Sequence, residues 1–332
     1  MVGTPGMMGP VTDIAHAPRF PKYDVLARLG AGGLAEVYLG QSTDPAMPGL
    51  FALKRLRDKW RGRKDLEQLF VTEADVGRLL RHPNIVLTHG VGYDEGGALF
   101  LVMEYVAGKS LAAVLNQIGS DKLVAHELSL HIVCQLLSGL HFAHELRGST
   151  GMSLNLVHRD VTPDNIFVSF AGEVKLSDFG IAHVNALDGS AENRGAFGKI
   201  PYMSPEQLLE KAVDRRSDLH AAGVILYQLL TGTHPFGAAS DEKKMIQRVV
   251  NGKYRPLRRV IPRIPKQLEA VVDRALAPKP EQRFNSAFEM VEALFPFHRY
   301  QVYWGPVVGG MVQNLFPEDL NAYHRILGSL VP

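Results

Sequence analysis

One cysteine, Cys134, in 332 residues excludes an internal disulfide framework and a multi-cysteine zinc site. No apolar run approaches the ~18 residues of a membrane span, so no membrane span is expected. The N-terminus lacks the basic and apolar blocks of a secretory leader, so a cytoplasmic protein is the expectation. Charge of one sign is not in excess either. Lys and Arg total 36 against 34 Asp and Glu, a formal net charge of +2. That balance argues against a protein that binds nucleic acid through bulk charge, so no nucleic-acid partner is expected, although a local patch stays open. The 13 histidines show no metal-ligand spacing. Internal repeats and low-complexity tracts are missing too. What is present is an ordinary globular chain with 46% apolar residues, long enough at ~150 residues per domain for two domains or lobes.

Residues 1–20 hold Gly3, Pro5, Gly6, Gly9, Pro10 and Pro18 with no apolar period, which reads as a flexible lead-in with order beginning near Tyr23. Short strand-like runs follow at Tyr23–Leu29, Val37–Leu39 and Leu50–Leu53, then a helix over about 65–80, then strand-like runs at Val86–Tyr93 and Ala98–Tyr105. Val106–Gly108 reads as a connection between lobes. After it helical periods dominate: Ile132, Val133, Leu136, Leu137 and Leu140 form one stripe, and residues 217–231 are apolar nearly all round, as in a helix buried on every side. Two short strand-like runs, Ile166–Ser169 and Val174–Leu176, lie between these helices.

Several residues then stand out chemically. Gly30-Ala31-Gly32-Gly33 lies between two strand runs, where glycines let backbone turn tightly or approach a phosphate; from this piece alone an ordinary hairpin turn is the better reading. Lys54 closes Phe51-Ala52-Leu53-Lys54. Glu73 has apolar neighbours Leu66, Leu69, Phe70, Val76 and Leu80 at helical offsets, so its carboxylate sits within the apolar face and needs a partner; Lys54 is the candidate. His158-Arg159-Asp160-Val161-Thr162-Pro163-Asp164-Asn165 precedes Asp178-Phe179-Gly180. Asp160 is placed to accept a hydroxyl proton, and Asn165 and Asp178 offer oxygen ligands for a hard cation such as Mg²⁺. Gly108-Lys109-Ser110 mimics the end of a Walker A loop, but Met103 stands where its first glycine belongs, so a P-loop nucleotidase is rejected.

Taken in order with Ser204-Pro205-Glu206, these motifs resemble the eukaryotic-type protein kinase family in its bacterial Ser/Thr form, over about Tyr23 to Leu294. The resemblance implies an α+β, bilobal fold: a small β-rich lobe with one main helix over about 21–105, a larger, mostly helical lobe over about 106–297, and a partly helical C-terminal extension over 298–332. It implies ATP with Mg²⁺, or Mn²⁺ in its place, and protein substrates. Leu29, Gly30, Ala31, Gly32, Gly33, Val37, Ala52, Met103, Glu104 and Val106 are then expected around the nucleotide, Lys54 on its phosphates while paired with Glu73, Asp160 at the substrate hydroxyl, and Asn165 and Asp178 on the metal. Glu206 is expected to pair with Arg283, and Asp218 and Gly223 to support the catalytic loop. His158 and Cys134 are expected in the core. The rival reading is a pseudokinase scaffold, disfavoured because Lys54, Glu73, Asp160, Asn165 and Asp178 are all present.

Three departures from the family pattern accompany the match. Ala35 replaces the third glycine of the loop, Thr162 stands where a lysine is usual, and Lys199 stands where a threonine is usual. Lys199 and Thr162 are read as an exchanged pair, with Lys199 neutralising phosphate charge near Asp160. Ser190 is the one hydroxyl residue between Ile181 and Ile200; it is either the autophosphorylation site or, the preferred reading, a loop serine in a segment whose activation needs no phosphate. Leu320, Tyr323, Leu327 and Leu330 form a stripe in the extension, either docked on the large lobe or contacting a partner such as a second copy.

Overall fold

The computed structural model describes residues 17–119, 124–148, 150–179, 200–237, 242–298 and 303–330; Ser190 and Lys199 lie outside them. The small lobe is one antiparallel sheet of β1 (Tyr23–Ala31), β2 (Ala35–Ser42), β3 (Leu50–Leu56), β4 (Thr88–Tyr93) and β5 (Leu99–Glu104), in the order β1-β2-β3-β5-β4, with α1 (Lys64–Leu79) between β3 and β4. Strand alternation splits its side chains in two. Leu56, Leu99, Leu101 and Met103 pack with Leu66, Phe70 and Ala74 of α1, while Tyr38, Phe51, Leu53, Phe100 and Val102 form a second cluster on the other face.

That second cluster includes Phe20, inside the segment expected to be a flexible lead-in. Phe20 is 4% exposed and meets the Tyr38 and Phe100 rings at 5.7 and 4.8 Å. Burying an aromatic ring of that size outweighs the nearby Pro18 as a predictor of order. A second correction concerns Val86–Tyr93: the strand starts at Thr88. Ile85 and Val86 leave the sheet and bridge to Leu176 of the large lobe, the Val86 N–H donating to its carbonyl at 2.9 Å.

The large lobe begins with β6 (Gly108–Ser110) and α2 (Leu111–Ile118), followed by α3 (His126–His144), β7 (Ile166–Ser169) and β8 (Val174–Leu176). Gly108, read from sequence as part of the connection, is thus already a strand residue opposite Ser169. A Cβ on it would lie 2.1 Å from the Val168 carbonyl oxygen, so only glycine fits there. Then come α4 (Pro205–Leu208), α5 (Arg215–Thr231), α6 (Glu242–Val250), α7 (Leu257–Val260), α8 (Lys266–Ala275) and α9 (Ala287–Leu294). The α5 helix is buried on every side as its composition predicts. Its Gly223 sits where a Cβ would come 2.7 Å from the Ala275 Cβ of α8. It therefore serves the α5–α8 contact rather than the catalytic loop. Cys134 is a core residue of α3.

The extension forms α10 (Gly305–Leu315) and α11 (Pro317–Leu330). Gly172 and Gly309 let α10 close onto the β7–β8 turn, where an added Cβ would overlap backbone. Gln313 Nε2 donates to the Phe170 carbonyl at 2.7 Å. From α11, Asp319 pairs with buried Lys109 of β6, and Tyr323 packs between Tyr105 and Phe170. The stripe docks through its first half; Leu327 remains exposed. No described helix is long and apolar enough to cross a membrane.

Candidate active site

The extended backbone of β3 delivers Lys54, and the apolar face of α1 delivers Glu73 into the interior opposite it. Lys54 Nζ donates to Glu73 Oε1 at 2.9 Å and to Asp178 Oδ1, just beyond β8, at 2.7 Å. Both Lys54 and Glu73 are more than 90% buried. Burial opposes the lysine charge, but the Asp178 and Glu73 carboxylates raise its pKa and keep it an ammonium. Burial pushes the Glu73 carboxyl up to about 7, with Lys54 pulling the other way. Glu73 Oε2 has no hydrogen-bonding partner among the described residues. One ammonium thus serves two carboxylates in a poorly solvated site. Ionised, the trio carries net negative charge and is matched to an added cation.

Asp160 and Asn165 follow α3 in an irregular loop held from several sides. Asn165 Nδ2 donates to the Asp160 backbone oxygen at 2.9 Å and to its Oδ2 at 3.0 Å. With the amide nitrogen so directed, Asn165 Oδ1 is the atom left for a metal, and the donor set of one amide and one carboxylate oxygen suits Mg²⁺. His158 Nδ1 accepts from the Asp160 N–H at 3.2 Å, so Nε2 carries the proton that it gives the Ser177 carbonyl at 2.8 Å. His158 is therefore a fully engaged buried residue, as expected, and orients the start of the loop.

Asp218, near the N-terminus of α5, is the anchor beneath. Its carboxylate accepts the backbone N–H of His158 and of Arg159 and the Nε2 of His144, each at 2.8 Å. Burial works against its ionisation, yet His144 and these donors hold its pKa down. Arg159 itself has φ 65° and Asp178 φ 62°, left-handed backbone that a non-glycine residue adopts at a cost of ~1–3 kcal/mol. Both strained residues adjoin the reacting groups.

The tip of the β1–β2 hairpin is tied down by its neighbours. Trp60 Nε1 donates to the Gly33 carbonyl at 3.0 Å and Arg57 Nη1 to that of Gly32 at 3.1 Å. Neither glycine has a positive φ, and a Cβ on Gly33 would meet nothing within 4 Å. The hairpin's own fold does not demand a glycine there. Gly30 and Ala31 belong to β1 rather than to the turn, and Gly30 pairs with Val37, itself opposite Lys54. Leu29 lies at a bulge of β1, and Ala52 pairs with Met103 across β3 and β5. Met103 is also core, packed among the apolar residues that face α1. At the β5 end, the Glu104 N–H is used by the Leu87 carbonyl and its carboxylate by Lys175. Thr162 is buried beside Asp160, its carbonyl accepting the Asn165 N–H at 3.0 Å.

Away from the reacting groups, Arg283 makes a bidentate pair with Glu206 at 2.7 and 2.8 Å. Sequence reasoning missed Gln207. Its Oε1 accepts from the Ser204 N–H at 3.1 Å while its Nε2 donates to the carbonyl of strained Arg159 at 2.8 Å. The Ser-x-x-Gln spacing is a visible capping signal, but the reach to Arg159 is not written in it. His144, the third donor to Asp218, was missed as well.

Comparison with known proteins agrees with this geometry. The family pattern described as protein kinase domain matches residues 23–295. The chain is 34% identical to the tyrosine-protein kinase MasK of Myxococcus xanthus, over 87% of this chain and 45% of that protein. It is 34% identical to the serine/threonine-protein kinase PknB of Mycolicibacterium smegmatis, over 86% and 44%. It therefore spans less than half the length of these curated relatives. Among solved structures, the kinase domain of Mycobacterium tuberculosis PknI superposes with a TM-score of 0.62 at 27% identity, covering 86% of this chain and 99% of that one.

Proposed function

The chain belongs to the protein kinase family, and on that premise we propose that it transfers the γ-phosphate of ATP to serine and threonine hydroxyls of protein substrates. The observation that carries the reading is Lys54 held 2.9 Å from Glu73 and 2.7 Å from Asp178, the lysine–acid pair of the small lobe joined to the acid of the large one. The serine/threonine assignment is supported by relatives such as PknB of Mycolicibacterium smegmatis, with MasK as the counterweight.

In this reading the hydroxyl oxygen of the substrate bonds to the γ-phosphorus and its proton passes to Asp160. The bond between that phosphorus and the bridging oxygen breaks, and ADP departs. Asn165 holds the Asp160 carboxylate in place for that transfer. Lys54 binds the α- and β-phosphates, oriented by Glu73. The glycine hairpin covers the phosphates with backbone N–H groups, between Leu29 and Val37 on one side and Ala52 on the other. The backbone of Glu104 and Val106 receives the adenine, with Met103 behind it. Asn165 and Asp178 would hold Mg²⁺, or Mn²⁺, whose chemistry is to offset phosphate charge. Lys199 is assigned the charge usually supplied from the position of Thr162.

The test is transfer of labelled γ-phosphate from Mg²⁺–ATP to a mixed protein substrate, wild type against Asp160→Asn, followed by phosphoamino-acid analysis. Phosphoserine and phosphothreonine that disappear in the variant support the reading. Phosphotyrosine alone overturns the specificity, and equal transfer by the variant overturns the role of Asp160.

A further inference from the structure

Charge is segregated in this chain in a way its near-neutral total conceals. Between Lys243 and Leu268 there are nine basic residues and no acidic one. Removing those nine from the 36 basic residues leaves 27 against 34 acidic, a net of −7 for the remainder. All nine are exposed. Such clustering carries a self-repulsion that a fold does not retain for packing.

The segment is not a loose tail. Met245 and Val249 of α6, Leu257 of α7, and Ile264 and Leu268 beyond it are all buried, so the apolar positions anchor it and the cations face out. Arg255 Nη2 donates to the Arg259 carbonyl at 3.0 Å and Arg248 Nη1 to that of Phe236 at 2.9 Å. These guanidinium groups are held by backbone oxygens rather than by carboxylates. Glu242 opens α6 just ahead of the run; of the carboxylates that follow on α8, Glu269 accepts the Arg258 backbone N–H at 2.8 Å, and Asp273 the Tyr254 hydroxyl at 2.6 Å. Among the described residues Arg255, Arg258 and Arg259 form no ion pair within 4.0 Å. The location gives the surface its meaning. The α6 helix packs against α4 and against the turn Ile200–Tyr202, where the chain emerges from the segment that follows Asp178 and Phe179. The basic face therefore borders α4, whose Gln207 reaches the Arg159 carbonyl next to Asp160.

We propose that this face, from α6 through α7 to the start of α8, docks an acidic stretch of the protein substrate lying outside the phosphorylated site. The substrates are then proteins that carry a run of Asp and Glu some distance from the acceptor hydroxyl. The proposal rests on the kinase reading above. Charge attraction of this kind acts on encounter and affinity and is screened by salt, with a Debye length of about 10 Å at 0.1 M. It therefore lowers KM for the protein substrate and leaves kcat unchanged.

Two peptides test this. Both carry one acceptor serine in the same context and a Gly/Ser linker; one ends in six aspartates, the other in six serines capped by acetylation so that they cannot accept phosphate. Steady-state transfer from Mg²⁺–ATP is measured at 50 and 300 mM salt. The expected result is a KM about tenfold lower for the aspartate peptide at low salt, shrinking at high salt, with equal kcat. The variant Arg255→Glu/Arg258→Glu/Arg259→Glu is expected to lose that preference while handling the serine-tailed peptide as wild type does. Should the triple variant unfold, Lys243→Glu/Lys253→Glu answers the same question with residues that anchor nothing. Equal KM for the two peptides overturns the proposal, as does a preference that survives the charge reversals. Co-sedimentation with phosphatidylserine vesicles, or binding of an oligonucleotide, that is lost in the variant while the peptides remain equal assigns the face to a membrane or a nucleic acid instead. If neither peptide nor the mixed protein substrate is phosphorylated, the kinase reading has failed rather than the docking surface.

Discussion

Two buried ion clusters, one under each lobe, use the same chemistry and are built oppositely. In the large lobe Arg283 has an acceptor for all five of its N–H groups: both Glu206 oxygens and the carbonyls of Arg216, Ala277 and Pro278. Ser217 adds a further hydroxyl to Glu206. Burial would raise the Glu206 pKa, but Arg283 and Ser217 bring it down to about 2. In the small lobe Lys54 divides two of its three N–H groups between two carboxylates, Glu73 Oε2 has no hydrogen-bonding partner among the described residues, and the Glu73 pKa goes up to about 7. The first cluster is complete in the protein alone. The second is complete only with something added. A satisfied buried pair serves the fold; an incompletely satisfied one with excess negative charge is poised for a ligand and cation.

Removing Arg283 is expected to give the largest effect. Arg283→Met strands a buried carboxylate and should cost ~3–5 kcal/mol of stability, read as a fall in thermal midpoint. The pH dependence has a definite sign. Glu206 has a folded pKa below its unfolded value, so its stabilisation is present above about pH 4.5 and is lost as pH falls toward 2. Wild type should show that loss in acid titration; the variant should not. Next is Glu73→Gln. Its folded pKa is raised, so stability falls as pH rises from about 4.5 and the full cost of the ionised carboxylate stands above about pH 7. The amide should leave the midpoint at pH 8 equal or higher while activity falls ~10–100-fold, because Lys54 loses the charge that orients it. A lower midpoint would erase the distinction between the clusters.

Gln207→Glu sharpens the comparison at the junction of the two regions. The carboxylate keeps the acceptor for Ser204 but replaces the donor to Arg159 with an oxygen. We expect a kcat about tenfold lower at an unchanged midpoint and ATP KM, for one lost hydrogen bond at the strained residue before Asp160. Ser204→Ala should do the reverse, costing about 1 kcal/mol of stability with turnover kept. The smallest effect on catalysis is expected from Asp319→Asn. It leaves the buried Lys109 ammonium without its carboxylate, so the thermal midpoint should fall while ATP KM does not change.

The parts legible in sequence were those with a local signature. Glu73 was found because its apolar neighbours recur at helical offsets, the buried character of α5 followed from its composition, and the α+β bilobal fold followed from the family resemblance carried by the ordered motifs. The unreadable parts join residues far apart with no periodic mark. Gln207 reaches Arg159 across 48 positions, His144 reaches Asp218 across 74, and Lys109 reaches Asp319 across 210. Phe20 was hidden by its proline-rich surroundings, because tertiary burial overrode local composition. The role of Gly223 was misread for the same reason: what it meets is α8, 52 positions on.

The most direct test is Lys54→Met, with phosphoryl transfer and thermal unfolding measured on the same preparation. The account predicts transfer reduced at least ~100-fold and a midpoint lowered far less than in Arg283→Met. Transfer at the wild-type rate, or unfolding as severe as that of Arg283→Met, would contradict it.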